Sequence, residues 1–596
     1  MAGRRSVRLS SVSVSSGHAR KTKGTSSARR DETRHNDGSF SSGDDRQSSD
    51  TEVRTIKRRK MANSRTGKGT GACLSIFQNC GVISQEPCSP TSGRPHRLSY
   101  HKPLFLCDSH GPEHRQALLA WFDSVSTTRA MPWRKAWINP SLESDAALLR
   151  KSLERRAYEV WISEIMLQQT RVAVVIDYWN RWMEKWPTIQ DLASADPEDV
   201  LAAWRGLGYY SRATRIHEAS KLVVQDPTMQ GLLPSATSEL ESKVPGVGRY
   251  TAGAISAIVY GRAAPMVDGN VLRVLSRQLG IYGNTKTDKK VIDTIWAAAD
   301  ALVKAVALDR PSNEHRSDVS DRPGRWGQAL MELGSTVCTP KPNCSQCPVT
   351  ASCRVYNEAR SNTGQRKTNV IHDIEDMCTL CEPFEEETVN HDPEPPSLQG
   401  SKQPNGKKKA PKQTTLAAFS FTTGGSIPAK QRDPHADTDE AQQETISHHA
   451  RKFPLKTSKK PVREEETIVC AVRRSDGALL IHRRPEKGLL AGLWEFPSTT
   501  PSARDDCRTA KQRAALAKTH AAALFDAEPT HLGELGSVPW LFSHLRLTMH
   551  VHLFRLARGD DVGCAPGDRA RWSDDVEAES MGTGMRKCWA LVKDAD

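Results

Sequence analysis

Four cysteines near the middle of the chain have the residue type and the spacing to hold one metal centre. Cys338, Cys344, Cys347 and Cys353 form the pattern Cys-x5-Cys-x2-Cys-x5-Cys, in a segment that also contains prolines. Four thiolates this close together can bind a cubane iron–sulfur cluster, and structural zinc sites often use the same donor set. The spacing leaves both metals open, and the alternative is four unrelated buried thiols.

A glycine turn followed by a carboxylate is the second chemically informative feature. Gly246 and Gly248 flank one apolar residue between two helical patterns. Such a turn at a helix N-terminus directs backbone N–H groups outward, where they can bind a phosphate. Asp268 follows about twenty residues later, beside Gly269 at the predicted start of a helix. It is a candidate catalytic carboxylate, and its structural alternative is a helix N-cap worth about 1 kcal/mol; the two roles are compatible.

The elements that must position these residues show two different periodicities. From about 113 to 354, apolar residues recur at three- and four-residue spacing, which predicts an all-helical domain. Two stretches in it, 138–156 and 309–324, read as insertions. From 464 the period changes to two, and strands at 467–472, 478–481 and 545–553 with a helix at 510–524 predict a separate α+β domain.

The length, net charge and cysteine content limit the classes of protein to which this chain can belong. The 596 residues are enough for several domains, and the net charge of +14 favours a polyanionic partner such as nucleic acid. Basic disordered tails are the plain alternative source of that charge. The fourteen cysteines show no regular pairing outside the cluster, which indicates a reducing compartment. No apolar run is long enough to predict a membrane span.

Two segments lack the apolar residues that a packed core requires. Residues 1–97 are rich in Ser, Gly, Arg and Lys and are predicted to be disordered. The basic run at 57–60 is a candidate nuclear address, and the acid-free first thirty residues are a second-ranked candidate for a mitochondrial leader. Residues 355–463 are polar and charged, and we interpret them as an interdomain linker.

Taken in order, these features resemble the helix–hairpin–helix DNA glycosylases with an iron–sulfur cluster, and more closely the MutY-type adenine DNA glycosylases. The resemblance implies a glycosylase domain at 98–354 with a 4Fe–4S cluster, and not zinc, on loop 338–353. That loop has five residues between its first two cysteines, where the family usually has six. The matching segments are 131–134, 161–170, 204–212, 246–253, 267–275 and 326–334.

The resemblance also implies catalytic roles. Glu164 would protonate N7 of adenine, which requires a carboxyl whose pKa is raised by an apolar surrounding. Asp268 would stay ionised and stabilise the oxocarbenium ion at C1′, or attack it transiently, while Asn270 orients Asp268 and water. Tyr250 stands where bifunctional relatives carry a Schiff-base lysine. A monofunctional glycosylase is therefore predicted.

Adenine must leave the helix stack to reach these groups. The resemblance places one set of residues around the extruded base and another beside the opposing base. The structural alternative for Tyr210 is a core aromatic. The residues around the extruded base are Arg134, Leu167, Gln328 and Glu332. The residues beside the opposing base are Gln168, Gln169 and Tyr210.

Residues 464–596 resemble the Nudix-like domain of the same family, on segments 488–497 and 540–544. The resemblance implies that the turn contacts 8-oxoguanine, with Ser543 sensing the lesion and Phe542 and His544 holding the turn; a plain hydrophobic hairpin is the alternative. The acidic cluster with which Nudix hydrolases bind divalent metal does not follow Gly492. Recognition without hydrolysis is expected.

The linker contains two candidate binding segments. Segment 413–421 resembles a peptide that binds the sliding clamp, proliferating cell nuclear antigen, although Ser420 stands where a second aromatic residue is usual. Animal members of the family bind zinc through linker cysteines and a distant histidine. That resemblance implies zinc held by His101, Cys378 and Cys381, with His372 in place of a third cysteine; two free thiols are the alternative.

Together these features predict a nuclear, monomeric glycosylase, also found in mitochondria if the leader functions. It would excise adenine opposite 8-oxoguanine, and opposite guanine, in base excision repair. A bifunctional glycosylase/lyase and a non-catalytic lesion-binding scaffold are the rival functions. Tyr250 argues against the first, and the presence of both Glu164 and Asp268 argues against the second.

Overall fold

The computed structural model describes most of the two predicted domains and parts of the linker. The predicted disordered tail up to residue 93 (Phe77 apart), the clamp-like segment 413–421, His372 and Ser543 lie outside the described residues. The described ranges are 94–309, 319–362, 377–384, 434–457, 461–485, 490–501, 507–525, 528–542, 544–556 and 569–595, with Phe77 and Gly488.

Helices form the domain that the apolar periodicity predicts. None of the described strands lies between residues 98 and 362. The helices are α1 (Gly111–Val125), α2 (Ala146–Met166), α3 (Val172–Lys185), α4 (Ile189–Ser194), α5 (Pro197–Ala203), α6 (Ser211–Gln225), α7 (Thr237–Lys243), α8 (Arg249–Ile258), α9 (Gly269–Gln278), α10 (Lys289–Leu308) and α11 (Arg322–Thr336).

The helical domain has two hydrophobic cores. The first packs α2 to α8 around fully buried Trp161, Trp182 and Trp204. The second packs α1 and α9 to α11 around Phe105 and Trp326. Tyr250 and Met331 touch both cores from their edges, so the boundary between the cores runs past the start of α8 and the middle of α11. Burial of this apolar surface provides the main stabilisation of the domain.

The stretch 138–156 is not a simple surface insertion, because α2 begins at Ala146. The Asp145 carboxylate caps the helix by accepting from the backbone N–H groups of Ala147 and Leu148. The first turns of α2 face solvent, and Leu148 is 53% exposed. Apolar spacing is therefore weak there, which is why the sequence pattern did not predict a helix.

The predicted linker also contains two helices. α12 (Arg354–Asn362) follows the cysteine loop directly, and α13 (Pro434–Arg451) packs against α12. Ile446, Ala450 and Phe453 are buried in or just after α13. Upstream, Arg94 is buried and donates to the Glu358 carboxylate of α12, so the packed structure starts before residue 98.

The C-terminal domain contains a seven-stranded mixed sheet and confirms the predicted α+β class. The order is β3-β2-β1-β6-β5, with β4 on β1 and β7 on β2; β1 and β6 are parallel. Helices α14 (Ala510–Ala522) and α15 (Thr583–Lys593) pack on the sheet. The strands are β1 (Arg463–Arg473), β2 (Leu479–Arg483), β3 (Trp494–Glu495), β4 (Ser498–Thr499), β5 (Thr530–Leu541), β6 (Leu545–Arg555) and β7 (Ala570–Ser573).

Among the described helices, none combines the length and the apolar character that crossing a membrane requires.

Candidate active site

A cavity of about 990 Å³ opens where the two helical cores meet. It is large enough for a nucleoside and is lined by both predicted catalytic carboxylates. The structure thus brings together residues that are more than one hundred positions apart in the sequence. The predicted residues that line it are Arg134, Glu164, Leu167, Gln168, Gln169, Tyr250, Asp268, Asn270, Gln328 and Glu332.

Glu164 lies in the last turns of α2 and is buried, with 5% of its surface exposed. The pKa of its carboxyl is raised to about 7, chiefly by burial and to a smaller extent by the nearby Asp268 charge, against the lowering effect of a hydrogen bond from Tyr250. A carboxyl with this pKa is substantially protonated at neutral pH. It can therefore deliver a proton to a base that enters the cavity.

Tyr250 orients that carboxyl. Its hydroxyl lies 2.6 Å from Glu164 Oε2, to which it donates, and 3.1 Å from Met331 Sδ. Burial, followed by the neighbouring Glu164 charge, raises the Tyr250 pKa well above its ordinary value. The phenol therefore stays protonated and acts as a fixed donor.

Two N–H donors hold the Asp268 carboxyl group in place. It is the N-cap of α9, where its Oδ1 accepts from the Val271 backbone N–H at 2.8 Å. Its Oδ2 accepts from Asn270 Nδ2, also at 2.8 Å. These contacts fix the orientation of the carboxyl group at the start of the helix. The capping and catalytic roles predicted for Asp268 are structurally compatible.

Close backbone packing fixes the segment that carries Asp268. A side chain at Gly253 in α8 would place its Cβ 2.1 Å from the Pro265 carbonyl oxygen. A side chain at Gly334 in α11 would place its Cβ 2.8 Å from the Asn270 Cβ. Only glycine allows these approaches, so α8 and α11 hold Asp268 against the cavity wall.

Arg273 extends this arrangement to the cysteine loop. Its Nη2 donates to Asn270 Oδ1 at 2.8 Å and to the Gly334 carbonyl, and its Nε donates to the Cys338 carbonyl at 2.9 Å. A chain of hydrogen bonds thus runs from Asp268 to the first cysteine. Sequence interpretation did not assign a role to Arg273, although it stands in the quoted segment 267–275.

Arg134 and Glu332 form a buried ion pair in the cavity wall. Arg134 Nη2 donates to Glu332 Oε2 at 2.6 Å, and Arg129 Nη1 lies 3.2 Å from the other carboxylate oxygen. Gln328 lies one turn earlier on α11, and its Nε2 donates to the Gly324 carbonyl at 3.2 Å. These groups offer both donors and acceptors to the edge of a base.

Tyr210, predicted to lie beside the opposing base, does not line the cavity and is the core aromatic that was its structural alternative. Tyr210 is 4% exposed within the first core, and its hydroxyl accepts from the Gly206 N–H at 3.2 Å. Its neighbour Tyr209 is 53% exposed with a left-handed φ of 49°, and Gln169, also exposed, has φ of 58°. Such backbone conformations are costly outside glycine and cluster at functional sites.

Arg212 holds the two exposed turns together, and sequence interpretation missed it. Its buried Nη1 donates to the carbonyls of Ile165 and Gln168 at 2.7 and 2.8 Å, and its Nη2 donates to the Gly208 carbonyl at 2.9 Å. The position of this arginine shortly after the Gly208–Tyr210 turn was the sequence signal that could have indicated its role.

The glycine turn lies outside the cavity lining. Gly246 has φ of 81°, and Gly248 is the N-cap of α8. Both glycines are exposed at the helix N-terminus, a position suited to a backbone phosphate.

The four predicted cluster cysteines lie in and beside the loop between α11 and α12. Cys338 follows α11, Cys344 and Cys347 flank a 3-10 turn, and Cys353 precedes α12. Burial raises the pKa of the Cys344, Cys347 and Cys353 thiols, and the charge of Cys338 raises each further. Arg277 Nη1 donates to Cys338 Sγ at 3.2 Å, and Cys353 Sγ donates to the Arg277 carbonyl at 3.6 Å. The donor set of four thiols fits a thiolate-ligated cluster.

A second group of metal-type donors joins residues from both sides of the glycosylase domain. The donor atoms of His96, His101, Cys378 and Cys381 all lie within 4.8 Å of one another. His372 lies outside the described residues, and His96 supplies the fourth donor. Sequence interpretation missed His96 because it falls in the stretch predicted to be disordered.

The predicted lesion-reading turn lies at the tip of the β5–β6 hairpin. The Phe542 N–H donates to the Leu545 carbonyl at 2.7 Å, and the rings of Phe542 and His544 are 6.5 Å apart. His544 and the neighbouring Leu541 are exposed. The side chains of Leu541 and His544 therefore face solvent at this end of the hairpin.

Two families match the chain. Residues 162–300 match the HhH-GPD superfamily of base excision DNA repair proteins, and residues 468–591 match the NUDIX domain. The chain is 35% identical to the adenine DNA glycosylase of Homo sapiens over 83% of this chain and 76% of that protein. It is 35% identical to the mouse enzyme over 80% of this chain and 78% of that protein. It is 32% identical to the Arabidopsis thaliana enzyme over 74% of this chain and 56% of that protein.

Two solved structures match part of the chain. A thermostable thymine-DNA glycosylase has 22% identity and a TM-score of 0.31, over 41% of this chain and 97% of that one. The C-terminal domain of mouse MUTYH, in complex with human PCNA, has 28% identity and a TM-score of 0.19, over 22% of this chain and 90% of that one.

Proposed function

The chain belongs to the adenine DNA glycosylase family of base excision repair, and from this premise we propose that it excises adenine paired with 8-oxoguanine or guanine by hydrolysis alone. The observation that carries the proposal is one cavity lined by two carboxyl groups in different surroundings. Glu164 is buried and has a pKa raised to about 7, whereas Asp268 accepts hydrogen bonds from two N–H donors at a helix start.

Glu164 supplies the proton. An adenine extruded into the cavity meets a carboxyl that is protonated near neutral pH, and proton transfer to N7 makes adenine a better leaving group. The Tyr250 hydroxyl donates to Oε2, which leaves the other carboxyl oxygen to carry the proton. The same hydrogen bond stabilises the carboxylate that remains after transfer.

Asp268 stabilises the sugar cation. As the N-glycosidic bond breaks, positive charge develops at C1′, and a fixed carboxylate lowers the energy of that state. Asn270 holds Oδ2 of Asp268 and is itself held by Arg273, so the carboxylate does not need to reorganise during the reaction. Water then adds at C1′ and gives a proton to the Glu164 carboxylate, which leaves an abasic site and restores the acid.

A lyase step lacks its nucleophile. No lysine lies among the described residues that line the cavity, and the Tyr250 phenol is engaged by Glu164. Schiff-base formation requires an amine. The abasic strand is therefore expected to stay intact.

One assay tests both parts of this proposal. The full-length protein is incubated with a duplex that carries adenine opposite 8-oxoguanine, and strand breaks are compared with and without hot alkali. Breaks only after alkali are expected. Breaks without alkali would indicate a lyase, and tight binding without any breaks would indicate a non-catalytic scaffold.

The opposing base is read by the C-terminal domain in this proposal. Phe542 and His544 lie at an exposed hairpin tip, and Ser543 between them lies outside the described residues. A serine hydroxyl there can hydrogen-bond the lesion, and Ser543→Ala is expected to lower excision opposite 8-oxoguanine more than excision opposite guanine. Equal losses on both substrates would contradict lesion reading. Metal-dependent nucleotide hydrolysis is not expected of this domain.

Cys338, Cys344, Cys347 and Cys353 would hold the 4Fe–4S cluster. When bound, such a cluster cross-links the loop between α11 and α12 and shapes it for DNA without taking part in the hydrolysis. Arg277 donates to the Cys338 sulfur and to the carbonyls of Cys338 and Thr339. Four irons and four sulfides per protein, measured chemically, are expected; a single zinc would contradict this assignment.

His96, His101, Cys378 and Cys381 would hold a structural zinc ion. His101 Nδ1 pairs with the Leu279 carbonyl at 2.8 Å and His96 Nδ1 with the Arg94 carbonyl at 2.7 Å. Both Nε2 atoms, 3.1 Å apart, are then left without protons, which is unfavourable unless a cation lies between them. His96→Ala should lower the bound zinc measured by mass spectrometry, whereas His372→Ala should leave it unchanged.

Clamp binding and nuclear location complete the proposal. The segment 413–421 supports binding of the sliding clamp, and the basic run 57–60 supports nuclear import. A double substitution of Leu416 and Phe419 to Ala should abolish clamp binding in calorimetry, and Lys57–Lys60 replaced by Ala should move a fluorescent fusion out of the nucleus. The protein is expected to act as a monomer.

A further inference from the structure

We propose that Arg205 is a positioning residue that locks the Nudix-like domain onto the glycosylase domain, and that this lock sets the preference for the opposing base. The second half rests on the proposed function, in which the 542–544 turn reads 8-oxoguanine. The lock is a set of hydrogen bonds from one guanidinium to three successive backbone carbonyls of the other domain.

The contacts use both terminal nitrogens of the guanidinium. Arg205 Nη1 donates to the Glu577 carbonyl at 3.1 Å, and Nη2 donates to those of Ala578 and Glu579 at 3.0 and 3.3 Å. A planar fork of donors suits an array of acceptors that a point charge such as the lysine ammonium cannot match. The pairing therefore fixes the orientation as well as the separation of the two domains.

The glycosylase side of the contact is rigid. Arg205 follows α5, and its carbonyl accepts from the Tyr178 hydroxyl at 2.5 Å. The next residue, Gly206, has φ of 94°, and a Cβ there would lie 2.4 Å from that hydroxyl. The backbone is thus held from both sides, and the guanidinium extends from a fixed point.

The Nudix-like side is equally well defined. The Asp575 Oδ1 accepts from the backbone N–H groups of Glu577 and Ala578, at 3.0 and 3.2 Å. The Glu579 carboxylate accepts from Ser573 Oγ at 2.8 Å and from Arg571 Nη2 at 2.5 Å. The three carbonyls therefore face Arg205 from a loop that is already tied to β7.

A second arginine makes the contact sensitive to position. Arg586 at the start of α15 donates to the Glu577 and Glu579 carbonyls from the same domain. Burial lowers the pKa of Arg586, and the charge of Arg205 lowers it further. Two like charges share one set of carbonyls, so the contact is favourable only where the hydrogen bonds to those carbonyls offset the repulsion.

Apolar contact between the two domains adds attraction but does not fix their relative orientation. Leu493, at 0% exposure, belongs to the first core of the glycosylase domain, and Leu490 packs beside it. Burial of leucine stabilises the contact but fixes orientation weakly. Without Arg205 we expect the domains to stay in contact and the Nudix-like domain to move within that contact.

Amide hydrogen exchange of the full-length protein tests the lock directly. Arg205→Ala should speed exchange in peptides that cover 575–582 and 490–494, and Arg205→Lys should have an intermediate effect. Glu198→Gln is the matched control, because it removes only a 3.7 Å interdomain ion pair with Arg571 and should change little. Unchanged exchange in Arg205→Ala would overturn the lock.

Single-turnover excision tests the consequence. Arg205→Ala should lower the ratio of the rates opposite 8-oxoguanine and opposite guanine by about tenfold, the effect of losing charge-assisted hydrogen bonds at a partly exposed site. The rate of adenine excision opposite guanine should stay unchanged. Equal loss on both substrates would overturn the positioning role. A wild-type ratio near one would instead overturn the reading of 8-oxoguanine, and the exchange result would still decide the lock.

Discussion

Glu164 and Asp268 line one cavity but belong to opposite sides of the boundary between the two helical cores. Glu164 ends a helix of the first core, where apolar neighbours raise its pKa to about 7. Asp268 starts α9, which packs in the second core, and its carboxyl group accepts hydrogen bonds from two N–H donors. Placement in the fold, and not residue type, therefore distinguishes the two carboxyl groups.

The two carboxylates also affect folding in opposite directions. An N-cap stabilises α9, whereas a buried carboxyl that must ionise opposes folding. The cavity therefore combines one group that stabilises the fold with one that costs stability above neutral pH.

The largest effect is expected from Glu164→Gln. The amide keeps the shape of the side chain but cannot transfer a proton, so single-turnover adenine excision should fall by about a thousandfold. Binding to the adenine·8-oxoguanine duplex, measured by fluorescence anisotropy, should be retained. Excision near the wild-type rate would remove Glu164 from the role of general acid.

Asp268→Asn should reduce excision somewhat less, by about a hundredfold or more, because the anion beside C1′ is lost. Asparagine is also a good N-cap, so thermal unfolding should change little. A large fall in the melting temperature of this variant would mean that the lost activity reports unfolding.

Stability measured at two pH values separates the carboxylates further. The folded-state pKa of Glu164 is raised above its unfolded value of about 4.5, so its favourable contribution is present below that pH and is lost as pH rises through about 7. By calorimetry, Glu164→Gln should gain stability relative to wild type between pH 5 and pH 8, by up to about 3 kcal/mol. Asp268→Ala should instead lose about 1 kcal/mol at both pH values. A gain that is equal at pH 5 and pH 8 would contradict the raised pKa.

The smallest effect is expected from Tyr250→Phe. Its hydroxyl lowers the Glu164 pKa by hydrogen bonding, so removal should move the alkaline limb of the excision rate to higher pH. Tyr260→Phe is the control, because that buried hydroxyl donates to the Leu233 carbonyl outside the cavity. An alkaline limb that shifts to lower pH in Tyr250→Phe would reverse the assigned effect of this bond.

Sequence motifs predicted the members of the cavity because the types at these positions are chemically restricted. Glu164, Tyr250, Asp268 and Asn270 come from three different helices or their caps, and the structure brings them to one cavity. Which tyrosine of the Tyr209–Tyr210 pair is exposed could not be predicted. A left-handed turn decides it, and two adjacent identical side chains carry no signal for that choice.

Structural features that depend on partners far away in the sequence were not predicted. α13 shows few apolar residues, and its buried Ile446 and Ala450 gain a partner only when the helix packs on α12. His96 lies in a polar stretch that is ordered by Arg94 and by the cysteines nearly three hundred residues later. Arg205 belongs to this class, because its acceptors are carbonyls that no side-chain pattern reveals.

The protonation state of Glu164 is the central claim, and infrared difference spectroscopy measures it most directly. The carbonyl stretch of a protonated carboxyl, present in wild type and absent in Glu164→Gln, is followed as pH is raised. It should disappear with a midpoint near pH 7. A midpoint near the ordinary value of glutamic acid would contradict the assignment of Glu164 as the acid.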